Sequence, residues 1–257
     1  MAEPTVETTL PTIDEIRTAQ DLFYSVMPPT PQLVWPLISE RLGNEVWIKH
    51  ENHTPTGAFK ARTAVVYAAE LFRESSAISG LVTATRGNHG QSVALAARRF
   101  GVQAHIVVPR GNSVEKNDAM RAQGGSLIEY GNDYQESKEQ AQRLAAEKGW
   151  HFVPSYHPDI VKGVATYWLE FFSAVPTLDV VYVPIGQGSG ICSCVAVRNG
   201  LHLKTKNRWR GPHRCTSLCA FVRSWTARVR SRHHPARRWH GVPGSGSDII
   251  GSGFRER

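Results

Sequence analysis

Lysine, asparagine and glycine fall in three short segments whose residue types suit chemistry on an anionic ligand. The first, Pro55-Thr56-Gly57-Ala58-Phe59-Lys60, puts a lysine directly after a tight glycine turn, where a run with helical spacing begins. The partial positive charge at a helix N-terminus favours the neutral amine, which is the nucleophilic form. A lone lysine is most often an ordinary surface residue, so Lys60 by itself decides nothing. The second segment, Thr85-Arg86-Gly87-Asn88-His89-Gly90-Gln91, lies where a strand gives way to a helix. In open α/β sheets such loops line the ligand crevice, and amides at a helix N-terminus hold anions. Helix capping by Asn88 is the competing reading. The third, Pro184-Ile185-Gly186-Gln187-Gly188-Ser189-Gly190, follows a buried strand, and its glycines let backbone N–H groups close on a phosphate. Its spacing departs from G-x-G-x-x-G and no acidic ribose ligand follows on a strand, which argues against NAD.

These segments need a scaffold, and the hydrophobic pattern supplies one. Residues 13–27 carry apolar side chains at helical spacing and stop at Pro28-Pro29. Residues 45–50 read as a strand, Thr54-Pro55-Thr56-Gly57 as a turn, and residues 58–72 as a helix with Lys60 in its first turn. Alternating units follow: strand 80–85, helix 89–100, strand 104–108, helix 114–122, strand 126–130, helix 134–148, a short strand near 151–153, helix 160–172 and strand 179–185. Beyond the glycine loop an apolar helix carries Cys192 and Cys194, which read as buried small hydrophobes rather than a redox pair. The alternation implies an α/β fold of mostly parallel sheets covered by helices on both faces.

The chain has 257 residues and a net charge of +8, which invites a nucleic-acid or membrane reading. The charge is unevenly divided. Residues 1–200 hold 17 Lys and Arg against 20 Asp and Glu, a net of −3, whereas residues 201–257 hold 13 against 2, a net of +11. The basic character belongs to the last segment. Residues 207–257 contain eleven arginines and no lysine, with Trp, Ser, Pro and Gly in clusters and no sustained period. That composition matches out-of-frame translation of a GC-rich coding sequence, with a frameshift expected near residues 203–210. An acidic N-terminus without an apolar core argues against a secretory signal, and four cysteines late in the chain make no disulfide framework. The expectation is a soluble protein of the cytoplasm that binds no membrane.

Taken jointly, Pro55-Thr56-Gly57-Ala58-Phe59-Lys60, Gly87-Asn88-His89-Gly90-Gln91 and the Pro184–Gly190 loop are specific in order and wording. From about residue 13 to about residue 203 the chain resembles the pyridoxal-phosphate (PLP) dependent serine/threonine dehydratases, or threonine ammonia-lyases, of fold type II, the tryptophan synthase β-like enzymes. The resemblance implies a two-lobed fold, with a small α/β lobe over residues 80–152 and a large PLP-binding lobe from residues 1–79 and 153–206. Residues 207–257 fall outside it as a basic tail of low order, leaving the large lobe incomplete.

The resemblance also implies roles. Lys60 would carry the cofactor covalently and then remove the substrate Cα proton. Phe59 would pack near the cofactor ring, and Asn88 would hydrogen-bond its phenolic oxygen. Gly186, Gln187, Gly188, Ser189 and Gly190 would bind the phosphate, and the amides of Thr85, Arg86, Gly87, Asn88 and His89 would receive the substrate carboxylate. The reaction would eliminate water from threonine or serine, giving an α-keto acid and ammonia. Intact relatives would be homo-oligomers acting on a small-molecule amino acid, with no specific nucleic acid and no metal implied.

Two departures from the pattern matter. Ala58 stands where a serine is more usual, and Arg86 stands where dehydratases have a small residue and racemases a second acid/base serine. Arg86 argues against a serine racemase and leaves a 3-hydroxyaspartate dehydratase open, because a guanidinium pairs well with a second carboxylate. A different class of function is an inactive homologue whose arginine-rich tail binds nucleic acid nonspecifically. Zinc on Cys215, Cys219, His233, His234 and His240 is disfavoured by spacing that misses the C₂H₂ pattern.

Overall fold

A capping box opens the first helix, α1 (Ile13–Tyr24): the Thr12 hydroxyl accepts from the Glu15 amide, and the Glu15 carboxylate accepts from the Thr12 amide at 2.8 Å. The computed structural model describes residues 10–75 and 77–210, with Trp209 and Arg210 described by backbone alone. Ile16, Ala19 and Phe23 form the buried face of α1, which packs on later helices. Next come β1 (Gln32–Val34), α2 (Pro36–Leu42) and β2 (Trp47–Lys49), with β1 and β2 antiparallel in the register Leu33 to Ile48. Neither β1 nor α2 is visible as a periodic pattern. Three residues are too few to show alternation, and α2 buries none of its side chains, so no apolar stripe marks it. Leu33, Trp35, Leu37, Ile38 and Leu42 are exposed there.

A single 3₁₀ turn at Glu51–His53 leads into α3 (Lys60–Glu74). The alternating part then runs β3 (Gly80–Ala84), α4 (Asn88–Arg99), β4 (Gln103–Val108), α5 (Val114–Ala122), β5 (Gly125–Glu129), α6 (Tyr134–Lys148) and β6 (His151–Phe152). It closes with α7 (Pro158–Ala174), β7 (Val180–Pro184), α8 (Ser189–Gly200) and β8 (Lys206–Arg210). From α3 to β7 the strand and helix bounds lie within two or three residues of those expected from periodicity.

Strands β3 to β6 form one parallel sheet in the order β5-β4-β3-β6. Period-two alternation divides its side chains between two cores. Leu81, Ala104, Ile106 and Val108 join Val93, Ala94 and Met120 on one face, while Val82, Ala84 and Val107 join Ala141, Phe152 and Trp150 on the other. β3 is buried along its whole length because it is covered on both faces and paired on both edges. Outside this sheet, α3 packs between α4 and α7, and α7 packs against α8. Gly163 permits the α3–α7 approach: a Cβ there would strike the Arg62 backbone oxygen.

The irregular tail expected from residue 207 is corrected over its first residues. Lys206–Arg210 form β8, parallel to β7 in the register Val180 to Lys206 through Pro184 to Arg210. The open backbone edge of β7 offers hydrogen bonds to any extended segment, so pairing overrides the unfavourable composition. Residues 211–257, which carry the zinc reading and most of the segment read as out of frame, lie outside the described residues. No helix among the described residues is long and apolar enough to cross a membrane.

Candidate functional site

The sheet order sets where a ligand can enter. From β3 the chain winds outward through β4 and β5, then returns to β6 on the other side of β3. Loops leaving the carboxyl ends of β3 and β6 therefore diverge, and a crevice opens between them. A cleft of about 430 Å³ lies there, lined by Lys60, Ala84, Thr85, Arg86, Gly87, Asn88, His89, Lys116, Tyr134, Ser155, Gly186 and Gln187. Loops after β3, β6 and β7 and the first turns of α3 and α5 all contribute.

Each segment has a local device that aims it. Before α3, Gly57 adopts φ 64° and donates its N–H to the Thr54 carbonyl at 2.9 Å. The Thr54 hydroxyl accepts from the Ala58 amide at 2.9 Å and donates to the Ala58 carbonyl at 2.7 Å, which clamps the turn and starts the helix at Lys60. In the next loop the Thr85 hydroxyl accepts the Gly87 N–H at 3.0 Å. Gly87, not Asn88, occupies the N-cap of α4, and no side chain caps that end, so Asn88 is exposed to the cleft rather than engaged as a cap. The N–H groups at that helix end remain available to an anion. After β7, Gly188 takes φ 107° at the N-cap of α8, again without a side-chain cap.

Electrostatics separate Lys60 from its neighbours on α3. Lys60 makes no ion pair among the described residues, and its ammonium lies 5.4 Å from the centre of the Phe59 ring. Burial pushes its pKa down from 10.5 to about 8, so roughly a tenth is the free amine at pH 7, far more than an ordinary lysine offers. His89 is 7% exposed, and neither ring nitrogen has a hydrogen-bond partner. Burial, aided by the charge of Lys60, pushes that imidazole down to about 3; the Val153 and Pro154 carbonyls oppose the shift but stay outside hydrogen-bonding geometry. No aspartate or glutamate is among the described residues that line the cleft.

The sequence profile of the pyridoxal-phosphate dependent enzymes matches residues 25–242. The chain belongs to this family. The match runs past residue 203, where the resemblance read by eye stops. L-threonine dehydratase biosynthetic IlvA of Haemophilus influenzae is 37% identical over 175 residues, covering 68% of this chain and 34% of that protein. The chain thus spans about a third of that relative's length. Among solved structures, a pyridoxal 5'-phosphate-dependent aspartate racemase superposes with a TM-score of 0.76 at 28% identity, covering 82% of this chain and 66% of that one. The processed form of threonine deaminase isoform 2 from Solanum lycopersicum gives 0.71 at 30%, covering 80% and 61%. The α/β fold with parallel sheets flanked by helices is that of the fold type II enzymes.

The cleft fits the family's cofactor on its own chemistry. It offers a free amine for an aldehyde, two uncapped helix ends for anions, no carboxylate to repel a phosphate, and an orphaned buried imidazole. Of the residues named from the sequence, Lys60, Thr85, Arg86, Gly87, Asn88, His89, Gly186 and Gln187 meet in the cleft. Four others do not line it. Phe59 turns to the Tyr167 ring, 6.0 Å away between centroids, and Gly188, Ser189 and Gly190 are buried behind the loop at the start of α8. The Gly190 carbonyl accepts from the Trp168 indole at 3.1 Å. Lys116, Tyr134 and Ser155 were not legible as site residues. They stand in unremarkable sequence, and only the packing of α5 and α6 and the return of β6 bring them to the cleft, where the Tyr134 and Ser155 hydroxyls lie 3.2 Å apart.

Proposed function

We propose that this chain carries the PLP site of a hydroxyamino-acid dehydratase, which removes water from L-threonine or L-serine to give 2-oxobutanoate or pyruvate and ammonia. The observation that carries the reading is Lys60: a half-buried lysine with a lowered pKa at the head of α3, without an ion pair and facing a cleft without carboxylates among the described residues, between two helix ends that no side chain caps. The same activity is named for the dehydratase of Haemophilus influenzae.

Lys60 would hold the cofactor and, once released by the incoming amino acid, accept the proton from Cα at its Nζ. When bound, the cofactor supplies an electron sink for the charge left on Cα. Asn88 would donate to the ring oxygen from its exposed position at the first turn of α4. The amides of Arg86, Asn88 and His89 would orient the substrate carboxylate, so that the Cα proton faces Lys60, while those of Thr85 and Gly87 donate to the Val107 carbonyl and the Thr85 hydroxyl. Gly186, Gln187, Gly188, Ser189 and Gly190 would hold the phosphate, the last three through the N-terminus of α8. A racemase needs a second base on the opposite face of Cα. Arg86 cannot serve, because a guanidinium does not lose its proton in this range. Elimination is therefore favoured over racemisation. Residues 80–152 would form the smaller of two lobes with the cofactor between them, in a protein of the cytoplasm.

The test is to load the purified chain with PLP and to follow the cofactor's absorbance and keto-acid release from L-threonine and L-serine. Keto acid from either, absent in the Lys60→Ala form, is the expected result. Bound cofactor with no keto acid from either substrate would overturn the reading.

A further inference from the structure

Three cations line the cleft and only Lys60 is used by the chemistry proposed above. The other two are Arg86, in the loop after β3, and Lys116, in the first turn of α5. Neither makes an ion pair or a side-chain hydrogen bond among the described residues. They come from elements far apart in sequence but share one loop: a methyl group on Gly87 would meet Lys116 Cδ at 3.2 Å and Nζ at 3.8 Å. Lys116 thus lies over the backbone of the residue that follows Arg86. His89, buried and with both ring nitrogens unpartnered, lines the same cleft.

Like charges drawn together without a counter-ion cost free energy. Some surface cations of this chain meet an acid one helical turn away, as Arg73 meets Glu70, Arg121 meets Asp118 and Lys162 meets Asp159, whereas Arg86 and Lys116 meet none among the described residues. A single substrate α-carboxylate is already provided for by the backbone amides of Arg86, Asn88 and His89, which need no side-chain cation. Arg86 and Lys116 therefore leave positive charge over for a second anionic group.

We infer that Arg86 and Lys116 form a subsite for a second carboxylate, so that the preferred substrate is a β-hydroxy amino acid with a carboxylate on its β-carbon rather than a methyl group or hydrogen. The inference rests on the dehydratase reading for the reaction, but the subsite is a statement about binding and can be tested apart from turnover. Arg86 offers a planar two-pronged donor and Lys116 a point charge, a combination that grips a carboxylate from two sides. His89, neutral at this burial, can add one hydrogen bond through a ring N–H without adding charge.

The probes are succinate and butyrate, which differ by a carboxylate in place of a methyl group and do not react. Calorimetry on the full PLP-loaded chain should show succinate binding about tenfold or more tightly, the discrimination expected of a charge-assisted hydrogen bond. The ratio should fall towards one in Arg86→Ala and in Lys116→Ala, be partly kept in Arg86→Lys, and shrink in 0.5 M salt. Equal affinities in the parent chain, absence of succinate binding, or a ratio unchanged in both alanine variants would overturn the subsite. Keto acid from threonine without a succinate preference would remove this inference and leave the dehydratase reading in place. A succinate preference lost in both variants, with no keto acid from any hydroxyamino acid, would support the subsite and remove the dehydratase reading instead.

Discussion

Two residues apart on α3, Lys60 and Arg62 face opposite fates. Arg62 is fully buried and gripped by two carboxylates: its guanidinium reaches Glu51 at 2.8 and 2.9 Å and Glu170 at 2.6 and 3.0 Å, with the Thr166 hydroxyl at 2.9 Å. Lys49 completes the cluster with 2.5 Å to Glu170, 2.7 Å to the Thr30 carbonyl and 3.1 Å to the Gln32 amide oxygen. Two cations face two carboxylates, and the Phe23 ring covers the guanidinium at 4.8 Å. Burial pushes Glu170 up, but its bonds to Arg62 and then Lys49 hold it below the ordinary carboxylate value. Among the described residues lining the cleft around Lys60, Arg86 and Lys116 there is no aspartate or glutamate. The same helix therefore spends one cation on joining α3 to α7 and to the segment after β2, and leaves another unneutralised at the cleft. Neutralised buried charge is architecture; unneutralised charge in a cleft awaits a ligand.

The comparison breaks most plainly at Lys60. Lys60→Ala should lower keto-acid formation at least about 100-fold, the scale of a lost proton acceptor. Its denaturant midpoint should stay at or above that of the parent, because the lysine makes no stabilising pair. A large loss of stability would put Lys60 with the architecture instead. Arg62→Met tests the other side. Leaving Glu51 without its cation and buried Glu170 with Lys49 alone should destabilise the fold by about 3–5 kcal/mol, read from denaturant unfolding. A change under about 1 kcal/mol would show that water reaches the cluster.

Titration sharpens the contrast. Because burial holds the Lys60 pKa near 8, the free amine should appear as pH rises through about 8 rather than through 10.5. Carbamylation of Lys60 by cyanate in the cofactor-free chain, followed site by site by mass spectrometry, should be half-maximal there. A midpoint near 10.5 would mean that the cleft is wetter than its burial implies. The smallest effect is expected at the contact that brings the two helices together. Gly163→Ala puts a methyl group against the Arg62 carbonyl and should cost about 1–3 kcal/mol, as overpacking does.

Much of this was legible in the sequence because it is local. The turn at Thr54–Gly57 needs a residue tolerant of positive φ, and Gly57 supplies it at φ 64°. β3 to β5 read as strands because each holds a short apolar run, Leu81-Val82, Ile106-Val107-Val108 and Leu127-Ile128, between helices whose spacing is periodic. Lys60, Asn88 and Gly186 stood out by the company they keep in short segments. β1 and α2 were not legible, since neither buries a regular face, and β8 was hidden by a composition that argues against order. Phe59 and Gly188 to Gly190 belong to the motifs, yet their place behind the cleft wall follows from how α3 and α8 pack.

The amino-acid sequence by itself determined the alternation of strands and helices, the lysine at a helix start and the two glycine-bearing loops, since these depend on residues near one another along the chain. Only the tertiary structure decided which cations are paired. Arg62 meets Glu170 across 108 positions and Lys49 meets it across 121, whereas Lys116 reaches Gly87 without meeting an acid. Charge pairing depends on distance in space, and no local pattern encodes it.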